Sequence, residues 1–354
     1  MTKLISIIVP MFNEEENVNI VVERLADLAE MIAKRWGFST EVIINDNAST
    51  DETFHRIQEL QAQTQPRPFT MRVFRFSRNI GFQRSILVGY CKAKGDAVVQ
   101  IDADMQDPPE LILDFIAKWL EGYYVVYGIR RTRTEGRVIN SLRRGFYRLI
   151  RRISPDELPL DSGDFRLVDR RLVEVVRAVH DQDPYLRGLI ASFGTRQLGI
   201  PYDRGSRHAG TSKFGLAKLV GLSMDAITNH SALPLRLASL VAFIVVLLIV
   251  VLAMGYIAVW LFSGGPLPAG FMTLVLLQLI GVGTLAALLG IQGEYLARIY
   301  KQVKDRPLAI IESKLDREQE QEDERKVVTA ASWEPRDEIE VLWSGARPPF
   351  GGSA

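Results

Sequence analysis

The chain has 354 residues, 47% of them apolar and 24% charged, and its 43 Lys and Arg against 42 Asp and Glu leave a formal net charge of +1. This balance excludes a disordered polyelectrolyte, and no nucleic-acid arm is expected, because the arginines from Arg130 to Arg152 are interleaved with apolar residues at helical spacing. Cys91 is the only cysteine, so no internal disulfide forms and a reducing compartment is expected, with the thiol packed rather than reactive.

The opening "MTKLISIIVPMFNEEENV" has too short an apolar run for a signal peptide, and translocation of the N-terminal region is not expected. Its "KLISIIVP" reads as a strand followed by a helix over about 15–34. "EVIIND" precedes a helix over about 51–61, "FTMRVFRF" one over about 81–94 and "DAVVQID" one over about 109–120, and then "YYVVYGIR" and "TRQLGIPYD" read as strands. Strands and helices alternating at this spacing predict right-handed βαβ units and a mostly parallel sheet covered on both faces.

In such sheets ligands bind at the carboxyl ends of the strands. The first strand ends in "VPMFNEE", the second in "NDNASTD" and the fourth in "DADMQD", so three polar clusters converge on one edge. Asp102 and Asp104 stand two apart where the chain leaves the sheet, with Gln106 adding a neutral oxygen. Hard cations such as Mg²⁺ and Mn²⁺ take one or two carboxylates and complete their shell with substrate phosphates. Without a cation the paired charges repel. Asp107, before Pro108 and Pro109, reads as a cap for the next helix. The chain contains no phosphate-cradling G-x-x-x-x-G-K-[ST] loop, dinucleotide fingerprint or zinc spacing.

Between Leu237 and Gly293 no residue is charged, and two apolar segments, about Leu237 to Phe262 and Phe271 to Ile291, flank "SGGPLPAG". Each meets the roughly 20 residues that cross a hydrocarbon core, so a two-helix membrane hairpin is expected. Arg236 precedes it and Arg298, Lys301, Lys304 and Arg306 follow, while the connecting loop has no basic residue, which predicts both termini on the cytoplasmic side. "FGLAKLVGLSMDAITNH" with "HSALPLRL" reads as an amphipathic helix at the membrane surface, with a buried soluble helix as the competing reading. The acidic tail from about Asp316 onward is expected to be disordered, with a short docking segment at its end.

Taken as an ordered set, "SIIVPMFNEEENV", "INDNASTDET", "RNIGFQRSILVGYCKAKGDAVVQIDADMQDPPELI", "DSGDFRL" and "RHAGTSKF" resemble the polyprenyl-phosphate glycosyltransferases of the GT-A type. These include bacterial enzymes that make undecaprenyl-phosphate glucose and dolichyl-phosphate mannose synthases. The resemblance implies a GT-A, Rossmann-like domain over 1–213, an amphipathic interface region over 214–236, two transmembrane helices over 237–293, and a juxtamembrane segment and tail over 294–354. It also implies a cytoplasmic-membrane enzyme, catalytic domain inside, that passes a hexose from a UDP-sugar to a polyprenyl phosphate with the help of Mg²⁺ or Mn²⁺. A GDP-mannose-dependent synthase, a processive polysaccharide synthase and a non-catalytic anchor are the alternatives.

By the same resemblance, Pro10, Asn13, Glu15 and Asp46 hold the nucleoside, and Asp102, Asp104 and Gln106 hold the metal and diphosphate. A carboxylate accepting an imide N–H suits uracil, although "DNASTD" departs from the commoner "DDGSTD" and puts Asn47 beside Asp46. Asp164, or Asp161, corresponds to the catalytic base, with orientation of the acceptor or a structural bond to Arg166 as other readings of Asp164. Arg207, Ser212 and Lys213, with Arg130 as a weaker candidate, correspond to the acceptor-phosphate site. Homo-oligomerisation is also implied, and Gly281, Gly283 and Ala286 permit close helix contact.

Overall fold

The computed structural model describes residues 2–63, 67–131, 162–179, 181–205, 233–263, 270–304, 306–316 and 340–342. Asp161, Arg207, Ser212, Lys213, the arginine-rich segment and most of the expected interface helix lie outside them.

The chain forms two compact units, one built on a sheet and one on two long helices. In the first, β1 (Leu4–Met11), α1 (Val18–Trp36), β2 (Ser39–Asp46), α2 (Thr53–Ala62), β3 (Thr70–Phe76), α3 (Phe82–Lys92), β4 (Ala97–Gln100), α4 (Leu111–Leu120) and β5 (Val125–Arg130) follow the expected alternation. β6 (Ser162–Asp169), α5 (Arg170–Ala178), α6 (Leu186–Ser192), β7 (Gln197–Tyr202), β8 (Ala309–Asp316) and β9 (Glu340–Leu342) complete it. Helix α1 shows why the reading worked. Val18, Val21, Val22, Leu25, Leu28, Ala29 and Ile32 recur every three or four residues and are buried, and Gly37 ends the helix at φ 67°, its N–H bonded to the Ala33 carbonyl at 2.8 Å.

The sheet order is β7-β5-β6-β4-β1-β2-β3-β8-β9. One apolar cluster packs α1, α2 and α4 on one face, and a second packs α3, α5 and α6 on the other. Strands buried on both faces need no alternation, and seven of the eight β1 residues are buried. The chain winds from β1 outward to β3 and then crosses back to β4 on the far side of β1. That reversal opens a crevice between the ends of β1 and β4.

The sheet is mixed rather than mostly parallel. Four described pairings are parallel and four antiparallel. The antiparallel ones all come from β6 and β8, which run against the other strands. β6 wedges between β4 and β5, so its beginning lies at the rim where β4 ends. β8 follows the second long helix in sequence yet pairs with β3 from Phe76↔Ile311 to Arg72↔Asp316. Residues read as a juxtamembrane segment and tail thus extend the sheet of the first unit, and Glu340–Leu342 is a strand where disorder was expected.

The second unit contains α7 (Leu233–Ser263) and α8 (Phe271–Val303), which touch each other. Among the described residues one stretch, Leu277–Val303, is long and apolar enough to cross a membrane, with a mean hydropathy of 1.4, and Leu240–Leu252 is a shorter apolar stretch.

Candidate active site

The three loops that leave β1, β2 and β4 each carry one non-glycine residue with positive φ: Asn13 at 55°, Ala48 at 58° and Met105 at 48°. Such backbone is costly and persists where surrounding bonds hold it. Those bonds are visible. Asn13 Oδ1 accepts from Thr50 N at 2.8 Å, Asn13 N donates to Ser49 Oγ at 3.0 Å, and Glu14 N donates to Thr53 Oγ1 at 2.8 Å. Glu15 Oε2 accepts from Glu52 N at 3.1 Å, so Asn13 and Glu15 first serve to weld the β1 loop to the β2 loop.

Pro10 and Asp46 lie in neighbouring strands of that weld, where Pro10 pairs with Asn45 and Met11 with Asp46. The Asp46 side chain is fully buried. Its Oδ1 accepts from Ser49 N at 3.2 Å, and its Oδ2 has no hydrogen bond among the described residues, with Arg75 Nε 3.7 Å away. Burial pushes this carboxyl up, against the opposing pull of Ser49 and Arg75. Asn47 is accounted for internally: its Oδ1 accepts from Ile80 N at 2.8 Å and its Nδ2 donates to Asn79 Oδ1 at 3.1 Å. The departure from the commoner motif therefore pins the loop ahead of α3.

Gln100 of β4 pairs with Arg166 of β6. Two residues beyond that pair on each strand stand Asp102 and Asp164. Burial, followed by repulsion from Asp164, Asp107 and Asp104, pushes the Asp102 carboxyl up to about 7. Gln100 Nε2 donates to Asp102 Oδ1 at 2.9 Å, and Asp104 Oδ1 accepts from Gln106 N at 3.2 Å, with Arg204 3.7 Å from Asp104 Oδ2. Among the described residues no three His, Cys, Asp or Glu side chains form a metal cage. Two carboxylates in a rim of excess negative charge fit a hard cation whose remaining ligands are phosphate oxygens.

Asp107 does not cap α4, which begins behind Glu110 without a side-chain cap. It is buried, and accepts from Tyr202 Oη at 2.5 Å, Arg130 Nη2 at 3.1 Å and Arg204 Nε at 3.2 Å. Prolines 108 and 109 turn the chain before the helix starts, so the carboxylate points back to the ends of β5 and β7. Arg130, a phosphate candidate, is thereby tied to this hub. Gly163 makes room for it, since a Cβ there would lie 2.8 Å from Arg130 Nη2.

Asp164 is also buried. It takes both arms of Arg187, Nε to Oδ1 at 2.7 Å and Nη2 to Oδ2 at 2.5 Å, and Gln83 Nε2 lies 3.5 Å from Oδ2. Burial alone would raise this carboxyl, but the bonds and charge of Arg187, with Arg166 and Gln83, hold it below its ordinary value. The site thus brings together Pro10, Asn13, Glu15, Asp46, Asp102, Asp104, Gln106, Arg130 and Asp164 at one rim. Gln83, Asp107, Arg187, Tyr202 and Arg204 stand with them; Gln83 and Asp107 lay inside quoted motifs without being assigned to the site, and no motif pointed to the other three. The strand ending in Tyr202 was legible, but its pairing with β5, which sets Tyr202 beside Arg130, was not.

Residues 6–177 match the family described as Glycosyl transferase family 2. The uncharacterized glycosyltransferase YkcC of Bacillus subtilis (strain 168) is 36% identical over 315 residues, covering 87% of this chain and 93% of that protein. The chain belongs to glycosyl transferase family 2. A second member, the bactoprenol glucosyl transferase of Shigella phage SfII, is 32% identical over 314 residues, covering 87% of this chain and 97% of the phage protein. Among solved structures, glucosyl-3-phosphoglycerate synthase from Mycobacterium tuberculosis, crystallised with Mn²⁺, UDP and phosphoglyceric acid, overlaps at a TM-score of 0.44 and 20% identity, over 63% of this chain and 75% of that one. That likeness is too loose to bear on chemistry. As a glycosyltransferase with a mixed sheet of the GT-A type, the chain has its polar rim where this fold binds ligands.

Proposed function

We propose that this glycosyltransferase passes a hexose, glucose first among candidates, from a UDP-sugar to a polyprenyl phosphate at the cytoplasmic face of a membrane. The observation that carries the reading is the meeting of Asp102, Asp104 and Asp164 at the rim where β2 also ends, in a buried Asp46 oxygen without a hydrogen bond among the described residues. The acceptor and sugar classes are supported by relatives named bactoprenol glucosyl transferase at 32% identity over nearly their whole length.

Asp46 Oδ2 is suited to accept the imide N–H of uracil, and the welded β1 and β2 loops hold the pocket in shape before the nucleotide arrives. Asp102 and Asp104 would hold Mg²⁺ or Mn²⁺ against the diphosphate, and the bound ion would supply electrostatic stabilisation to the departing UDP. A lipid phosphate attacking the anomeric carbon from the opposite side gives one displacement and an inverted product. The acceptor-phosphate roles proposed for Arg207, Ser212 and Lys213, and the share of Asp161 in catalysis, belong to the same reading.

We read α7 and α8 as a membrane hairpin with both termini in the cytoplasm, and homo-oligomerisation through these spans is part of the proposal. Large aliphatic side chains point outward all along them, among them Leu247, Val251, Leu285 and Leu289. Left in water, such a surface is unfavourable by about 25 cal/mol per Å², and a lipid environment removes that penalty.

The test uses purified full-length protein in detergent with Mn²⁺, labelled UDP-glucose and undecaprenyl phosphate. The reading expects a labelled lipid whose formation stops with EDTA and returns with Mn²⁺. No labelled lipid with UDP-glucose, UDP-galactose or GDP-mannose would refute it.

A further inference from the structure

Asp164 and Arg187 form a side-on pair that the proposed reaction, as written above, leaves without distinct roles. We infer that Arg187 takes the phosphate of the acceptor and that Asp164 is its positioning carboxylate, not a proton acceptor. This rests on the reading of the acceptor as a lipid monophosphate.

Three observations carry it. Asp164 is engaged at both oxygens: two N–H groups of Arg187 and the Gln83 amide approach them, and with Arg166 they hold the carboxyl below its ordinary value. A carboxylate stabilised in this way is a weak base. Arg187 uses Nε and one arm of Nη2 on Asp164, and a guanidinium has five N–H donors, so three are directed elsewhere. Among the described residues no other acceptor takes them, and the side chain is 38% exposed where that of Asp164 is 7% exposed. Finally, Asp164, which Arg187 grips, stands two residues beyond the Gln100–Arg166 pair on β6 as Asp102 does beyond β4, so the guanidinium is held at the rim of the acidic pair.

The chain segment that leads into Arg187 is anchored as well. Leu186 N donates to Gln83 Oε1 at 3.3 Å, Arg84 pairs with Asp183 at 2.8 Å, and the buried Gln182 donates to the Arg306 carbonyl at 2.8 Å. A planar fork fixed on one side and open on the other is the geometry that suits a phosphate.

The chemistry balances without a base. An acceptor dianion, R–O–PO₃²⁻, forms the new bond from a phosphate oxygen to the anomeric carbon. The bond from that carbon to the UDP oxygen breaks, and UDP leaves with the electron pair. The phosphodiester product carries one negative charge, UDP carries one more than it had in the donor, and no proton is released. A second phosphate pKa near about 6 makes the dianion abundant at neutral pH, and a neighbouring cation favours it further.

The experiment compares wild type with R187A, R187K and D164N in full-length protein. It measures the KM for undecaprenyl phosphate, kcat against pH, and the affinities for UDP with Mn²⁺ and for geranyl phosphate by calorimetry. R187A is expected to raise the acceptor KM roughly 10- to 100-fold and to weaken geranyl phosphate to match, with UDP affinity unchanged; R187K restores part of both. Retained UDP binding reports that each variant is folded. D164N should likewise raise the acceptor KM and leave the shape of the pH profile intact. An acceptor KM in R187A within about threefold of wild type, or a kcat loss in D164N of about 100-fold at unchanged KM, overturns the inference. If wild type binds geranyl phosphate but makes no lipid-linked sugar, the proposed function fails while the Arg187 contact stands or falls on the calorimetry; if wild type binds none, the inference fails.

Discussion

The Tyr202 hydroxyl donates to Asp107 Oδ1 at 2.5 Å, tying the last residue of β7 to the loop behind β4. Arg130 and Arg204 reach the same carboxylate, so a single buried charge holds two cations and a phenol at the rim. Removing one partner of a buried ion pair costs about 3–5 kcal/mol, because the other is left uncompensated. D107A should therefore lose stability of that order in urea unfolding, and Y202F, which deletes one charge-assisted hydrogen bond, about 1.5–3 kcal/mol. Equal stability of D107A and wild type would show the hub to be incidental.

Asp102 and Asp104 repel each other in the metal-free chain. D102N, whose amide oxygen can still accept from Gln100, should therefore melt no lower than wild type without metal. Adding Mn²⁺ with UDP reverses the ranking. Ligand at 100 times its Kd stabilises the native state by about 2.7 kcal/mol, and D102N should gain little of this in a thermal-shift assay.

The pair of Arg187 with Asp164 predicts a pH dependence. The folded carboxyl is held below its unfolded value, so its stabilising contribution is complete above the unfolded pKa and is lost as pH falls through the folded one. In R187A burial acts unopposed by that partner, the carboxyl rises, and its ionisation at neutral pH becomes destabilising. The stability difference between wild type and R187A should thus be largest near neutrality and shrink toward acid pH, read from urea titrations at several pH values. A difference independent of pH would mean that Arg187 stabilises by packing alone.

Ile311 of β8 is buried against β3, although α8 ends only at Val303. I311A should cost about 2–5 kcal/mol, as other large-to-small core changes do. A neutral substitution would mean that the sheet ends at β3.

The alternation of β1 to β5 was legible because the strands are short segments rich in β-branched and aromatic residues and the helices between them keep an amphipathic period, as α1 shows. The rim was legible for the same reason: Asp46 ends β2 and Asp102 stands just past the end of β4, and parallel strands end on one side. Asp164 needed more. It stands near the start of β6, and only the antiparallel insertion of that strand between β4 and β5 brings a strand beginning to the rim. Such a pairing spans distant sequence, which local periodicity does not encode. Asp107 was misread because a carboxylate before two prolines has the local signature of a cap, whereas its partners Arg130, Tyr202 and Arg204 lie 23, 95 and 97 residues away. β8 was missed for a related reason, since a strand that follows an apolar hairpin carries no mark of returning to the first sheet.

The central claim is that a hexose alone, with no phosphate attached, moves from a nucleoside diphosphate to a lipid phosphate in one displacement. Its most direct test is the product pair formed from UDP-α-glucose and undecaprenyl phosphate by the full-length protein. The account predicts UDP and a β-linked lipid monophosphate glucose in equal amounts, identified by mass and by the anomeric proton coupling. Release of UMP with a lipid diphosphate sugar, or an α-linked product, would contradict it.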